Sequence, residues 1–409
     1  MKVLQINKYF HIKGGADSVF FNTSALLGEQ GHDVIPFSIK HPKNKYSSYS
    51  KYFINAPEIR ELRGIKKLLN IPRFFSNKDA ARQLGKIIQE QKPDIAHIHN
   101  LFNGISLSIL PVLKKHRIPV VITLHDTRFI CPSSYFNLRG KLCDNCRNLF
   151  YSNCAVHKCY QDNLTNSIMC AAEMFHKDFV FKYDQYIDRY IFVSDAYHYL
   201  HKRRHSFFET KGTVLYNFVP SLLKCAINKQ QGEYLFYYGR ITKEKGVVTL
   251  INVMKQFPEL KLKVAGTGPL LEELKTTSPK NVEFLGFLSG DTLFNELRNS
   301  SYVIVPSEWE ENNPLTVIES YAHGKPVIGS KIGGIPEIIL ENETGFYFEP
   351  GNADSLCAAL KQAQNVLPND YAKMSVNARD FAEQHFNPAT HYNELMTIYK
   401  DTIKSYENF

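Results

Sequence analysis

Residues 303–340 read VIVPSEWEENNPLTVIESYAHGKPVIGSKIGGIPEIIL, a run of strand, loop and helix signals in close succession. The apolar stretch 303–305 ends at Pro306, as a buried strand does. A polar loop follows with Glu308, Glu310, Glu311, Asn312 and Asn313. Pro314 suits the first helical position and Asn313 the N-cap. A helix is therefore expected through Leu315, Val317, Ile318 and Tyr321, stopping at Gly324. A second strand over 326–330, a Gly333-Gly334 turn and a helix opened by Pro336 come next. Glu311 lies in the loop and Glu319 about two turns into the helix. Between them, the N–H groups of Leu315, Thr316 and Val317 have no intrahelical partner and make a ready anion site. A phosphate cradle flanked by two carboxylates suits a ligand that is phosphate in one place and polyhydroxyl in two others, as a nucleotide-sugar is. The same residues also fit an ordinary strand–loop–helix with surface acids.

Upstream, YLFYYGR (234–240) reads as a strand presenting Arg240, followed by a loop with Lys245 and a helix from Val247. Arg240 offers a bidentate fork and Lys245 a mobile point charge, both suited to diphosphate. KLKVAGTGP (261–269) is a strand ending in Gly266 and Gly268, which let a ligand approach the backbone. NVEFLGFLS (281–289) is the next strand. In the first half, KVLQI (2–6) leads through Gly14, Gly15 and Asp17 into a helix expected near Ser18. Strands then recur at 33–39, 94–100, 119–126, 190–195 and 213–218, spaced by helical segments. That alternation implies a parallel sheet covered on both faces, with ligands beyond the carboxyl ends of the strands. His99, His125 and Asp126 all fall at such ends.

A chain of 409 residues implies two domains. Its 44% hydrophobic and 22% charged content is that of a globular protein, and no apolar run reaches the roughly 18 residues of a membrane span. The N-terminus reads as a strand and not as a signal peptide, so a cytoplasmic location is expected. A net charge of +9 favours anionic partners, but the basic residues are dispersed and no nucleic-acid motif accompanies them.

Two segments break the alternation. Within 51–78, Ile59, Leu62, Ile65, Leu69 and Phe74 recur near helical spacing with Arg60, Arg63, Lys66, Lys67 and Arg73 among them. Such a basic amphipathic segment (59–74) can lie on an anionic membrane surface, or it can pack on a core with its lysines solvated. Five of the eight cysteines crowd into an insert at 131–159: Cys131, Cys143, Cys146, Cys154 and Cys159. Disulfides are not expected in the cytoplasm. C-x2-C followed by two further cysteines has the ligand count of a structural zinc site, with Cys143, Cys146, Cys154 and Cys159 as candidates. With Cys131 and His157 nearby, there are more possible ligands than positions. Unliganded thiols are the other reading.

Taken together, E-x7-E (Glu311 to Glu319), H-G-K-P-V (323–327) and G-G-x-P-E (333–337) resemble the donor-site signature of retaining glycosyltransferases with the GT-B architecture, specifically glycosyltransferase family 4. The resemblance implies an α/β fold of two doubly wound Rossmann-like domains facing across a cleft. It assigns 1–215 to the acceptor side, 216–388 to the nucleotide-sugar and 389–409 to a helix crossing back. It sets Gly14 and Gly15 near the donor phosphates, with Asp17 where Glu is more usual, and makes Arg240 and Lys245 a phosphate clamp. The strand end at Gly286, Phe287 and Leu288 would read the base, and Glu319 the ribose. Glu311 would face the sugar, with His125 and Asp126 near the acceptor and the reacting centre. Asn312, Asn313 and Pro314 stand where the family usually has Gly-aromatic-Gly. The donor would be a nucleoside-diphosphate sugar, and the acceptor a glycan or polyprenyl-linked glycan of a capsule or lipopolysaccharide type. No D-x-D pair exists to hold a divalent ion, so catalysis is expected to be metal-independent. A nucleotide-sugar epimerase of the same architecture and a non-catalytic binding homologue are the alternatives.

Overall fold

The computed structural model describes residues 1–56, 62, 64–134, 136–138, 141–146, 148–220 and 222–407. The chain forms two compact units. The first is Met1–Leu138, Cys143–Leu215 and Tyr392–Phe409; the second is Arg139–Leu142 and Tyr216–His391.

The first unit is built on strands β1 (Lys2–Ile6), β2 (Asp33–Phe37), β3 (Ile95–Ile98), β4 (Val120–Leu124), β5 (Arg189–Phe192) and β6 (Gly212–Val214). They form a six-stranded sheet in the order β2-β1-β3-β4-β5-β6, with parallel pairing throughout. Neighbouring residues of each strand face opposite ways. Leu4, Ile6, Ile98, Ile122 and Phe192 join one core, while Val3, Ile95, Val121 and Ile191 join another. The second core is completed by Leu395, Met396 and Tyr399 of the last helix, Pro388–Glu407. Strands buried on both faces explain why their sequences are runs of Val, Ile and Leu and not an alternation.

The second unit carries β7 (Tyr234–Tyr238), β8 (Lys261–Ala265), β9 (Val282–Gly286), β10 (Val303–Val305), β11 (Val327–Ser330) and β12 (Gly345–Phe348). The order is β9-β8-β7-β10-β11-β12, again parallel, which is that of the doubly wound dinucleotide-binding sheet. Leu235, Tyr237, Val264 and Ile304 pack against helices Val247–Met254 and Ala353–Gln364. Phe236, Val303 and Val305 pack against Val317, Ile318 and Tyr321 of helix Leu315–Ala322. The strand order reverses between β7 and β10, whose pairing is short, with Val303 opposite Phe236. In open α/β sheets, ligands bind beyond the carboxyl ends of the strands at such a reversal.

Some sequence expectations shift. The first helix begins at Gly15 and not near Ser18, because Gly14 is its N-cap. Helix Leu315–Ala322 begins one residue later than expected, with Pro314 as N-cap. Of the basic segment, residues 59–61 and 63 lie outside the described residues, as do the side chains of Lys66 and Lys67. Helix Gly64–Phe75 buries Phe74 but exposes Ile65 and Leu69, so these do not share one inward face.

Candidate functional site

The loops that leave β7 and β10 are laced together. Gly246 has φ +69°, and a Cβ there would sit 1.6 Å from the carbonyl oxygen of Pro306. Only glycine lets the first loop settle against the end of β10. The Glu308 N–H then donates to the Glu244 carbonyl at 2.9 Å, and the Thr249 hydroxyl to Glu308 Oε1 at 2.5 Å. This brings Lys245 onto Glu311, with Nζ 2.5 Å from Oε1. The same oxygen accepts from Ser307 Oγ at 2.5 Å and Trp309 Nε1 at 3.0 Å, and the ammonium stands 5.2 Å from the Trp309 ring centroid. Burial alone would raise the Glu311 carboxyl. Lys245 and the three hydrogen bonds outweigh it and hold the group below the ordinary carboxylate value. From below, Gly333 (φ +59°) packs where a Cβ would meet the Glu311 carbonyl at 2.1 Å, and Gly334 N–H donates to that carbonyl at 2.7 Å. Arg240 is exposed at the start of the loop that follows β7.

Glu319 is in a different environment. Burial pushes its carboxyl up to about 7, opposed only by a hydrogen bond from Tyr238, whose Oη lies 3.2 Å from Oε2. The two glutamates of E-x7-E thus differ by construction: one is held ionised, and the other titrates near neutrality. Between them the helix start is narrower than expected. Val317 N–H donates back to the Pro314 carbonyl at 3.0 Å, which leaves the N–H groups of Leu315 and Thr316 as the opening of the helix. Asn313 does not cap it. Its Oδ1 accepts from Asn217 N–H at 2.9 Å, and its carbonyl accepts from Asn217 Nδ2 at 3.0 Å, fixing the loop to the segment that enters the unit. Asn312 is buried beside it, and Phe287, at the end of β9, is 73% exposed. The spaces that Cβ atoms would take at Gly266 and Gly268 are filled by the carbonyls of Gly239 and Ile241, at 1.8 and 2.2 Å. These glycines let two loops meet.

The strand ends of the first unit gather a row of imidazoles. His125 Nε2 lies 3.0 Å from His99 Nδ1, and His99 Nε2 lies 3.1 Å from Gln5 Oε1. His97, on the same face of β3 as His99, contacts Tyr399 Oη at 2.6 Å and Thr123 Oγ1 at 2.7 Å. Burial lowers His125 to about 4, so it is neutral at ordinary pH. Asp126 caps the short turn Thr127–Phe129 by accepting from Arg128 N–H at 2.8 Å. Near Gly14 and Gly15, Asp17 Oδ2 accepts from the N–H groups of Lys13 and Gly14 at 3.1 and 3.2 Å. The sequence reading missed Ser307, Trp309, Tyr238, His97 and Gln5. The one available signal was that the chain's single Trp lies within the acidic loop.

Cys131, Cys143, Cys146, Cys154 and Cys159 line one small cavity together with Arg204. None is bridged. Yet among the described residues no group of three or more His, Cys, Asp or Glu is set to hold a metal ion. The zinc expectation at Cys143, Cys146, Cys154 and Cys159 is therefore not supported. The physical reasons are visible: the Cys154 and Cys159 thiols hydrogen-bond each other, His157 is exposed, and the Arg204 guanidinium at the cavity opposes a second cation. Burial pushes the Cys146 thiol up to about 12.

The model of the family described as Glycosyltransferase Family 4 matches residues 13–221, and that described as Glycosyl transferases group 1 matches residues 225–381. The chain belongs to glycosyltransferase family 4 and has its GT-B fold. It is a glycosyltransferase dependent on a nucleoside-diphosphate sugar, in a family that is generally metal-independent. It is similar to an uncharacterized glycosyltransferase of Methanocaldococcus jannaschii, 25% identical over 366 residues, which cover 87% of this chain and 86% of that one. It is also similar to an uncharacterized 42.6 kDa protein of the cps region of Klebsiella pneumoniae, 25% identical over 355 residues (83% and 87%). HepE of Anabaena, solved in complex with UDP-glucose, superposes with a TM-score of 0.65 at 16% identity and covers 100% of both chains. No helix among the described residues is long and apolar enough to cross a membrane.

Proposed function

We propose that this enzyme transfers a sugar, with retention at the anomeric carbon, from a nucleoside-diphosphate sugar to a glycan on a lipid carrier during cell-surface polysaccharide assembly at the cytoplasmic side of the membrane. One observation carries the donor half: Lys245, Glu311 and the helix start at Leu315 and Thr316 meet on the loops where the second sheet reverses its order. Lys245 and Glu311 neutralise each other. A diphosphate bound at Lys245, Arg240 and the helix start draws the ammonium away, and frees the Glu311 carboxylate to face the sugar ring. Positive charge grows on that ring as the diphosphate leaves, and the carboxylate stabilises it while the cations and the helix dipole stabilise the leaving group. Glu319 accepts from the ribose, and the strand end at Phe287 and Leu288 meets the base. Asn312 and Asn313 hold the loop in register, and Gly14 and Gly15 keep their proposed part in donor binding. Neutral His125, backed by His99, and Asp126 serve the acceptor side. The UDP-glucose in the HepE structure makes uridine diphosphate the first nucleotide to try, and the cps-region relative supports a surface glycan as product.

A panel of nucleoside diphosphates and their sugars, read by thermal shift, tests the donor, since a ligand of the native state raises the melting point. Transfer to a lipid-linked acceptor is then assayed with and without EDTA. Stabilisation by one nucleotide family and EDTA-resistant transfer are expected. No stabilisation by any of them, or interconversion of free nucleotide-sugars without an acceptor, would overturn the reading.

A further inference from the structure

Helix Leu164–Phe175 in the first unit carries apolar side chains on both of its faces. Its buried face carries Met169, Cys170 and Met174 among Asn166, Ser167 and Glu173, the last paired with buried Arg128. Its solvent face carries Leu164, Ile168 and Phe175, which lie within roughly 40° of one another at 3.6 residues per turn. The stripe continues into the π-helical turn His176–Phe181, where the exposed Phe179 ring sits 4.9 Å from that of Phe175. The neighbouring helix Gly64–Phe75 packs on it through Phe74 and Met169, and through the rings of Phe75 and His176 at 5.6 Å. That helix also turns apolar residues outward, with Ile65 73% and Leu69 71% exposed. Exposed apolar stripes of this extent mark an interaction site.

The charge of the stretch selects the partner. Residues 62–78 hold Arg63, Lys66, Lys67, Arg73 and Lys78 and no Asp or Glu, and Arg73, Lys78 and Lys182 are exposed. In a symmetric pair of copies the same patch meets itself, which would press one acid-free stretch against another. An anionic bilayer accepts both the apolar side chains and the cations. We propose that helices Gly64–Phe75 and Leu164–Phe175 lie on an anionic membrane surface, with the apolar side chains at the acyl boundary and the basic residues among the headgroups. The proposal extends the reading of a lipid-borne acceptor, and its test is separate, because transfer to a soluble acceptor does not require the membrane.

Cosedimentation with phosphatidylglycerol-containing vesicles, against pure phosphatidylcholine, reads the binding directly. The wild-type protein should sediment with the anionic vesicles at low salt and be released as salt rises. Phe175→Asp with Phe179→Asp, and separately Ile65→Asp with Leu69→Asp, should each weaken binding by about tenfold or more. Both variants should keep the wild-type circular dichroism and the wild-type rate on a soluble acceptor. A wild-type protein that stays in the supernatant at low salt would overturn the proposal. So would variants that bind as wild type, or substitutions that dissociate a dimer in the ultracentrifuge and leave vesicle binding intact.

Discussion

The carboxylate at 311 is held ionised by an ammonium 66 positions earlier in the chain, and that pairing makes it sensitive to a residue it was not read with. The sequence marks Lys245 and Glu311 as separate functional residues; their contact depends on two glycine-permitted loop approaches that no local pattern encodes. With Glu311 held below its ordinary value, the pair's stability is present above the usual carboxylate range and is lost as pH falls through the lowered value. In Lys245→Met, only the Ser307 and Trp309 hydrogen bonds oppose burial, and the sign inverts. The destabilisation should grow as pH rises above about 4.5, toward the roughly 3–5 kcal/mol of a buried pair missing one partner. Adding Glu311→Gln should recover most of it, and a gap in melting temperature that does not change between pH 5 and 8 would refute this account. Glu319, pushed up to about 7, gives a different signature. Its ionised form is the better acceptor for ribose hydroxyls, so donor binding should tighten as pH rises from 6 to 8, by at most about tenfold per unit. Calorimetry in buffers of differing ionisation enthalpy should show proton release on binding, absent in Glu319→Gln. In turnover, Glu311→Gln should lower kcat by about two decades with donor affinity kept, because its contact strengthens only in the transition state. Equal losses in kcat and in UDP affinity would reverse the assigned roles.

At the scale of elements, the strands of both sheets were legible because burial on two faces writes them as short apolar runs bounded by glycine and proline. The helix after the acidic loop was legible to within one residue, since Pro314 marks the start whether it caps or leads. The region between β4 and β5 was not. Helix Leu164–Phe175 hides Glu173 with Met169 and Met174 and shows Ile168 and Phe175 to solvent, so periodicity does not mark its inward face. The partner that makes burial tolerable, Arg128, lies 45 positions away. Buried Lys177 likewise depends on Asp178 and on the Phe129 carbonyl at 3.0 Å. The glycine pairs divide in a testable way. Gly333 is left-handed, with backbone where a Cβ would go, whereas Gly14 is extended (φ −169°) and has nothing within 4 Å. Gly333→Ala should cost about 1–3 kcal/mol and lower kcat by displacing the Glu311 loop. Gly14→Ala should leave the melting temperature nearly unchanged. Equal shifts for the two, measured by calorimetry, would mean that the Gly-Gly turn below Glu311 is not a packing constraint.

For the whole molecule, two parallel sheets could be inferred from alternation alone, and the family from ordered motifs. The last helix could not be placed by its own pattern. FNPATHYNELMTIYK carries Leu395, Met396, Ile398 and Tyr399 as an ordinary amphipathic stripe. What that stripe covers is set by a sheet formed from the start of the chain. In the fold, Tyr399 is fully buried against His97 and Gln5, and Leu395 and Met396 close over Val3, Val121 and Ile191. Nearly 400 residues of sequence separate Tyr399 from Gln5 (|i−j| = 394); contacts of such span cost loop-closure entropy and form late. Ending the chain after Asn387 would uncover one face of the first sheet and remove one of the two hydroxyl partners of His97, while the second unit keeps both of its own cores. Each lost apolar side chain is worth about 1.5–3 kcal/mol, a large share in sum of the stability of an ordinary unit. The truncated protein should therefore melt in two steps, an early one belonging to the first unit and a later one close to the full-length value. A nucleoside diphosphate should raise the later step far more than the early one, because all of its proposed contacts except Gly14 and Gly15 lie on the second unit. A single unshifted transition would show that the helix contributes little to the first unit, and a nucleotide that raises the early step more than the later one would move the main binding residues to the other sheet.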